Sequence, residues 1–150
     1  MILYGYVIMS NHIHMIIQSN KGKLSDLVRD FKKFTAKSIL YKIQNEPESR
    51  RDWMLERFKL APETHSRNKN YQFWQYGNHA EEIYTEHFMW SKLDYIHMNP
   101  VRAGIVMKIE DYIYSSANNY INGNGIIAIE LLENPNVNVL RPTSFDKYIH

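Results

Sequence analysis

Two runs rich in Ile, Val, Tyr and Met, residues 1–8 and 12–18, are separated only by Met9-Ser10-Asn11. So short a break between two β-prone segments reads as a β-hairpin or strand–turn–strand, and it commits the N-terminal end of the chain to a sheet. Side chains alternate across a strand. His12 and His14, which open the second run, therefore project from one face, while Ile13 and Met15 face the other.

Helical periodicity follows. From Leu24 to Ile43 the apolar positions Leu24, Leu27, Val28, Phe31, Phe34, Ile39 and Ile43 recur at spacings of three and four, an amphipathic helix started by Lys23-Leu24-Ser25-Asp26. Residues 49–60 read as a second helix that ends near Pro62. Residues 63–79 read as a loop with a short ordered piece at Tyr71, Phe73, Trp74 and Tyr76. A further helix is expected over 80–98, with Glu81, Glu82 and Glu86 in its early turns, where the macrodipole favours acids, and Pro100 ending it. Ala103–Val106 reads as a short turn or helix, and Tyr112–Ala117 begins another element. Asn122-Gly123-Asn124-Gly125 reads as a turn, 126–132 as strand or helix, and 134–150 as an irregular tail. The class is α+β, a central antiparallel sheet with helices packed on it, in one domain over 1–150 with its core at about 1–120.

Apolar residues make up 44% of the chain and aromatics 13%, which excludes a disordered composition. The absence of cysteine excludes a disulfide scaffold, thiolate zinc sites and a cysteine nucleophile, and is compatible with a cytoplasmic location. No apolar run is long enough to span a bilayer, so no membrane partner is expected. The net charge is only +2, so any case for nucleic acid rests on charge distribution. That distribution is uneven: Lys21, Lys23, Arg29, Lys32, Lys33, Lys37 and Lys42 crowd into 21–42 against Asp26 and Asp30.

Three features carry chemistry, and each has a plainer reading. His12 and His14 have the same-face spacing that suits one metal ion, yet two ligands do not close a site, and on spacing alone the pair reads first as surface histidines on a half-exposed strand. Tyr95 and Asn99 share a helix face at i, i+4. With a metal beside it, Tyr95 could attack a phosphodiester; alternatively it packs in a core and Asn99 caps the helix. His97 faces elsewhere and reads as structural. The basic helix, through Arg29, Lys32, Lys33 and Lys37, could track a phosphate backbone, or be a solvated face. The aromatics at 71–76 could stack on bases or form a satellite of the core. Asn122-Gly123-Asn124-Gly125 lacks the Lys-Ser/Thr of a phosphate-binding loop, and Ser115-Ser116 lacks an attendant base.

Ser10-Asn11-His12-Ile13-His14 resembles the histidine–hydrophobe–histidine (HUH) strand motif of the IS200-like transposases. The stretch from Leu93 through Tyr95-Ile96-His97-Met98-Asn99-Pro100-Val101-Arg102-Ala103-Gly104 to Val106, with Asp111–Ala117 after it, is similar to the REP-associated tyrosine branch of that family. The resemblance spans roughly residues 1–120. It implies a ferredoxin-like (HUH transposase) fold acting on single-stranded DNA that bears a hairpin. By position, His12 and His14 match the metal histidines and Tyr95 the nucleophile. Asn99 falls where relatives place a Gln or Asn ligand. Mg²⁺ or Mn²⁺ is the implied ion, and the attack leaves a 5′-phosphotyrosine and a free 3′-OH.

Family members carry a strand and helix before the histidine motif that this sequence lacks, which predicts an exposed sheet edge. The family also forms homodimers, and a bacterial, nucleoid-associated setting follows from the resemblance. Two other readings stand beside a DNA-nicking transposase: a catalytically inactive or domesticated DNA- or RNA-binding protein of the same fold, and a metal-dependent nuclease that uses water.

Overall fold

The computed structural model describes residues 1–20, 22–60 and 71–133. Those residues form strands β1 (Ile2–Ile8) and β2 (Ile13–Gln18) and helices α1 (Leu24–Asn45), α2 (Arg51–Leu60), α3 (Glu86–Arg102) and α4 (Ala117–Ile121). The class is α+β. The chain divides into two compact units, Ile2–Ile17 with His87–His150, and Met1 with Gln18–Glu86.

In the first unit β1 and β2 pair as a two-stranded antiparallel sheet, closed by the Met9 N–H donating to the His12 carbonyl at 2.9 Å. The outer edge of β1 is covered from within the chain. Ile8 N–H donates to Tyr114 O and Ser116 N–H to Tyr6 O, both at 2.9 Å, across an antiparallel bridge between Val7 and Ser115. The hydroxyls of Tyr112 and Tyr120 donate to Ile8 O and Tyr4 O, both at 2.7 Å. The edge that the sequence leads one to expect as exposed thus has its alternate polar groups taken by residues 112–120, which satisfies strand backbone without a third strand.

Helix α3 packs on this sheet through the one glycine of β1. A Cβ on Gly5 would lie 2.5 Å from Leu93 Cδ1 and 3.2 Å from Ile96 Cδ1, so the missing side chain is what lets the helix approach. Val7, Leu93, Ile96, Pro100 and Ala117 are buried around that contact.

Helix α3 differs from expectation at both ends. It begins at Glu86 instead of 80, with Glu81 and Glu82 ahead of it, where the Tyr84 hydroxyl donates to Glu82 at 2.6 Å. It also runs through Pro100 to Arg102. Proline there forfeits only one backbone bond, and the stop comes from Gly104 at φ +68°, with Gly104 N–H donating to Val101 O and Ile105 N–H to Pro100 O. That is a Schellman cap, which needs a residue at positive φ and finds it in glycine. Residues 126–132 form neither strand nor helix; the stretch is tied down singly, as by Glu130 N–H to Leu3 O at 2.9 Å. The expected tail at 134–150 and the Pro62 helix stop lie outside the described residues.

In the second unit α1 buries Ile43 and half-buries Leu27, Val28, Phe31 and Ile39, as its periodicity predicts. Leu24 and Phe34 depart from it and are exposed. For Phe34 the reason is angular. At about 100° per residue it lies roughly 110° round the helix from the centre of the buried stripe, although three residues separate it from Phe31. The aromatics after 70 are a satellite cluster: Phe73 meets Phe58 at 5.3 Å and Trp74 at 5.1 Å between centroids, and Trp74 Nε1 donates to Thr35 Oγ1 at 2.9 Å. Tyr76 stands out of it, 85% exposed.

Candidate functional site

Strand alternation and helix pitch bring the sequence-selected residues of the first unit together. The His12 and His14 rings lie with centroids 4.9 Å apart, edge to face, and the His14 ring meets Tyr95 at 5.7 Å. A metal about 2.1 Å from an imidazole nitrogen sits about 3.2 Å from that ring's centroid, so rings on adjacent corners of its shell have centroids about 4.5–5 Å apart. The histidine pair meets that test.

Their surroundings suit ligation. The His12 Nδ1 lies 2.7 Å from Asn11 Oδ1. A carbonyl oxygen only accepts, so Nδ1–H donates to it and Nε2 is the ring nitrogen that faces away from Asn11, the outer-shell arrangement typical of metal-binding histidines. His14 has its pKa lowered, first by burial, then by the neighbouring His12 and Lys92 charges, and so is held in the neutral form that ligates.

Asn99 lies one turn beyond Tyr95, and its Nδ2 donates to the Tyr95 carbonyl at 2.9 Å. That bond occupies the amide nitrogen and leaves the carbonyl oxygen, the atom a hard cation takes. Among the described residues no three His, Cys, Asp or Glu side chains converge, so an ion held by the two imidazoles would need neutral oxygen donors, for which the Asn99 amide is the candidate. Hard Mg²⁺ or Mn²⁺ would complete such a set with water and phosphate oxygens, and the residues present fit an ion of that kind.

Two basic residues of this site were not singled out from the sequence. Arg102 places its guanidinium carbon 5.1 Å from the Tyr95 ring centroid, and Lys92 is close enough to His14 to depress its pKa. The signal was present: Lys92, Tyr95, Asn99 and Arg102 fall at i, i+3, i+7 and i+10, one face of α3. Tyr95 is 45% exposed, so its hydroxyl-bearing ring stands beside His14 and Arg102 and within reach of an anion from solvent.

His97 lies off this face and is buried. The Ser116 hydroxyl accepts the Tyr6 N–H at 2.9 Å and shares hydrogen bonds with Tyr6 O at 3.2 Å and His97 Nε2 at 2.8 Å. This closed network locks α3 to β1 and the 115–117 turn, and leaves neither Ser116 nor His97 Nε2 free for chemistry.

The basic residues of α1 belong to the second unit and divide in two. Arg29 is held by Asp26 at 2.6 Å and Asp30 at 3.1 Å. The Lys32 ammonium donates to Gln75 O (2.9 Å), Gly77 O (2.8 Å) and Asn78 Oδ1 (3.1 Å), gripping the 75–78 loop, and burial lowers its pKa. Lys33 and Lys37 are exposed and make no ion pair among the described residues.

No family model, curated protein or solved structure matches this chain. Among the described residues no helix is long and apolar enough to cross a membrane.

Proposed function

We propose that this chain is a metal-dependent strand transferase of the IS200-like, REP-associated tyrosine type, with a ferredoxin-like (HUH transposase) fold. It would cleave and rejoin hairpin-bearing single-stranded DNA through a 5′-phosphotyrosine. The observation that carries the reading is the meeting of His12, His14 and Tyr95: residues some 80 positions apart in sequence, chosen for complementary chemistry, converge.

His12, His14 and Asn99 would hold the Mg²⁺ or Mn²⁺. When bound, the ion supplies Lewis-acid polarisation of the scissile phosphate. Lys92 and Arg102 draw the phosphodiester to the face that carries Tyr95 and offset its charge, Arg102 as a fork able to bind two phosphate oxygens. The Tyr95 oxygen attacks phosphorus and loses its proton to solvent. The bond from phosphorus to the 3′ oxygen breaks, and that oxygen leaves as a free 3′-OH. Return attack by a 3′-OH on the phosphotyrosine rejoins strands without an energy source, because one phosphodiester replaces another. A dimer and a nucleoid location remain part of this reading.

The test is Tyr95→Phe, which keeps the ring and its Arg102 contact and removes the nucleophile. With Mn²⁺ and a hairpin oligonucleotide, the variant is expected to bind DNA as the parent does and to show no cleavage. Cleavage at the parental rate would eliminate the tyrosine mechanism and favour water as nucleophile; cleavage by neither protein would favour the inactive binding protein.

A further inference from the structure

Helix α1 carries on its outer face a surface that the basic-patch reading leaves unexplained. Phe34 is 71% exposed and Tyr41 63% exposed. Seven residues apart, they lie about 20° from each other round the helix and about 10 Å apart along it. Lys37 and Lys33, both exposed, flank the rings on one side, about 40–60° and 80–100° round the helix from them. Phe31, Thr35 and Lys32, which hold Trp74 and the 75–78 loop, lie about 60°, 100° and 160° round the helix from Phe34, so among the described residues the two rings stand to one side of the stripe used for packing. Among the described residues neither ring has a ring partner. Two large aromatics on a solvent-facing sector of a helix cost solvation that a purely structural lysine face would avoid.

We infer that the Lys33–Phe34–Lys37–Tyr41 face of α1 is a binding platform for single-stranded nucleic acid. Phe34 and Tyr41 would stack on unpaired bases, and Lys33 and Lys37 would pair with the phosphates beside them. The chemistry selects this occupant. A flat ring accepts any base, and alternation of rings with cations follows the alternation of bases and phosphates along a strand. A second copy docking the same face against itself would bring four lysines, Lys33 and Lys37 of each copy, into one contact, a concentration of like charge. The inference deepens the DNA-handling part of the proposed function and rests on it for the choice of polymer. It shifts the nucleic-acid surface from Arg29 and Lys32, which are engaged within the chain, to the two aromatics and the two uncommitted lysines.

The experiment measures binding of the full chain to a fluorescent oligo-dT by anisotropy, in chelator, so that no cleavage intervenes. Phe34→Ala and Tyr41→Ala are each expected to weaken binding roughly 5- to 100-fold. Lys33→Ala with Lys37→Ala is expected to reduce the slope of log affinity against log salt by about 1.4. Phe34→Leu keeps the surface apolar but not flat: it is expected to lose binding, whereas Phe34→Trp retains it. Parental affinity in Phe34→Ala/Tyr41→Ala, with an unchanged circular-dichroism spectrum, overturns the inference. So does full binding by Phe34→Leu, or sedimentation showing a dimer that these substitutions dissolve. The two proposals fail separately. A Tyr95-dependent cleavage with aromatic-independent binding sinks only the platform, and aromatic-dependent binding without cleavage sinks only the transferase.

Discussion

Gly5→Ala probes the seat of the nucleophile. The added Cβ would sit 2.5 Å from Leu93 Cδ1, where carbon atoms prefer about 3.5–4.0 Å. Something must yield by about 1 Å, Leu93 is buried, and Ile96 Cδ1 lies 3.2 Å from the same added Cβ. Overpacking of this kind costs about 1–3 kcal/mol. Replacing a strand glycine by alanine returns about 0.5–1 kcal/mol, so the net loss centres on about 1 kcal/mol, a fall in Tm of about 2–4 °C for a chain of this size. The larger effect is on activity. Helix α3 carries Tyr95, and a displacement near 1 Å can cost about 100-fold in rate. Thermal unfolding followed by circular dichroism reads the first quantity and single-turnover cleavage the second. Leu93→Val removes the obstructing methyl carbon, so the double variant should be less destabilised than the sum of the singles. An unchanged Tm for Gly5→Ala, or strict additivity with Leu93→Val, refutes the view that this glycine sets the helix-to-sheet distance.

Three further outcomes are expected. His14 has its pKa held below the ordinary value near 6.5, so the fold favours its neutral form. Its contribution to stability and to Mn²⁺ affinity is therefore complete above about pH 6.5 and declines as pH falls below it. Calorimetric titration with Mn²⁺ at about pH 7.5 and about pH 5.5 should show that decline in the parent protein, with little binding by His14→Ala at either; equal affinity in parent and variant would exclude His14 as a ligand. Lys32→Met removes three donated hydrogen bonds to the 75–78 loop and should destabilise the chain by about 1–3 kcal/mol, with faster amide exchange confined to that loop and its α1 neighbours. Arg102→Ala should lower cleavage roughly 10- to 100-fold and weaken hairpin binding at low salt, and Arg102→Lys should recover only part of either, because an ammonium lacks the planar fork.

The hairpin, the 3.6-residue periodicity of α1 and the convergence of His12 with His14 were legible because each depends on local repeat geometry. The end of α3 was not, because Pro100 is the louder signal, while the operative one is a positive-φ glycine four residues later. Phe34 departs from the periodic pattern for a related reason: spacing of three is ambiguous until the centre of the buried stripe is known. Lys92 and Arg102 were readable by the i, i+3, i+7, i+10 rule and became conspicuous only with His14 and Tyr95 in place. The cover on the edge of β1, given by Tyr112, Tyr120 and the 114–116 backbone, had no local signature, since contacts across more than a hundred residues leave no periodicity. The same holds for the fate of Lys32, whose partners lie 43 to 46 residues away.

The most direct measurement is of the covalent intermediate. The protein is incubated with Mn²⁺ and a labelled hairpin-bearing single strand, denatured, digested and sequenced by mass spectrometry. The account predicts a nucleotide joined through its 5′ phosphate to Tyr95, formed only with metal and absent from His12→Ala and His14→Ala. Cleaved DNA with no protein-bound nucleotide, or an adduct on a tyrosine other than Tyr95, would contradict it.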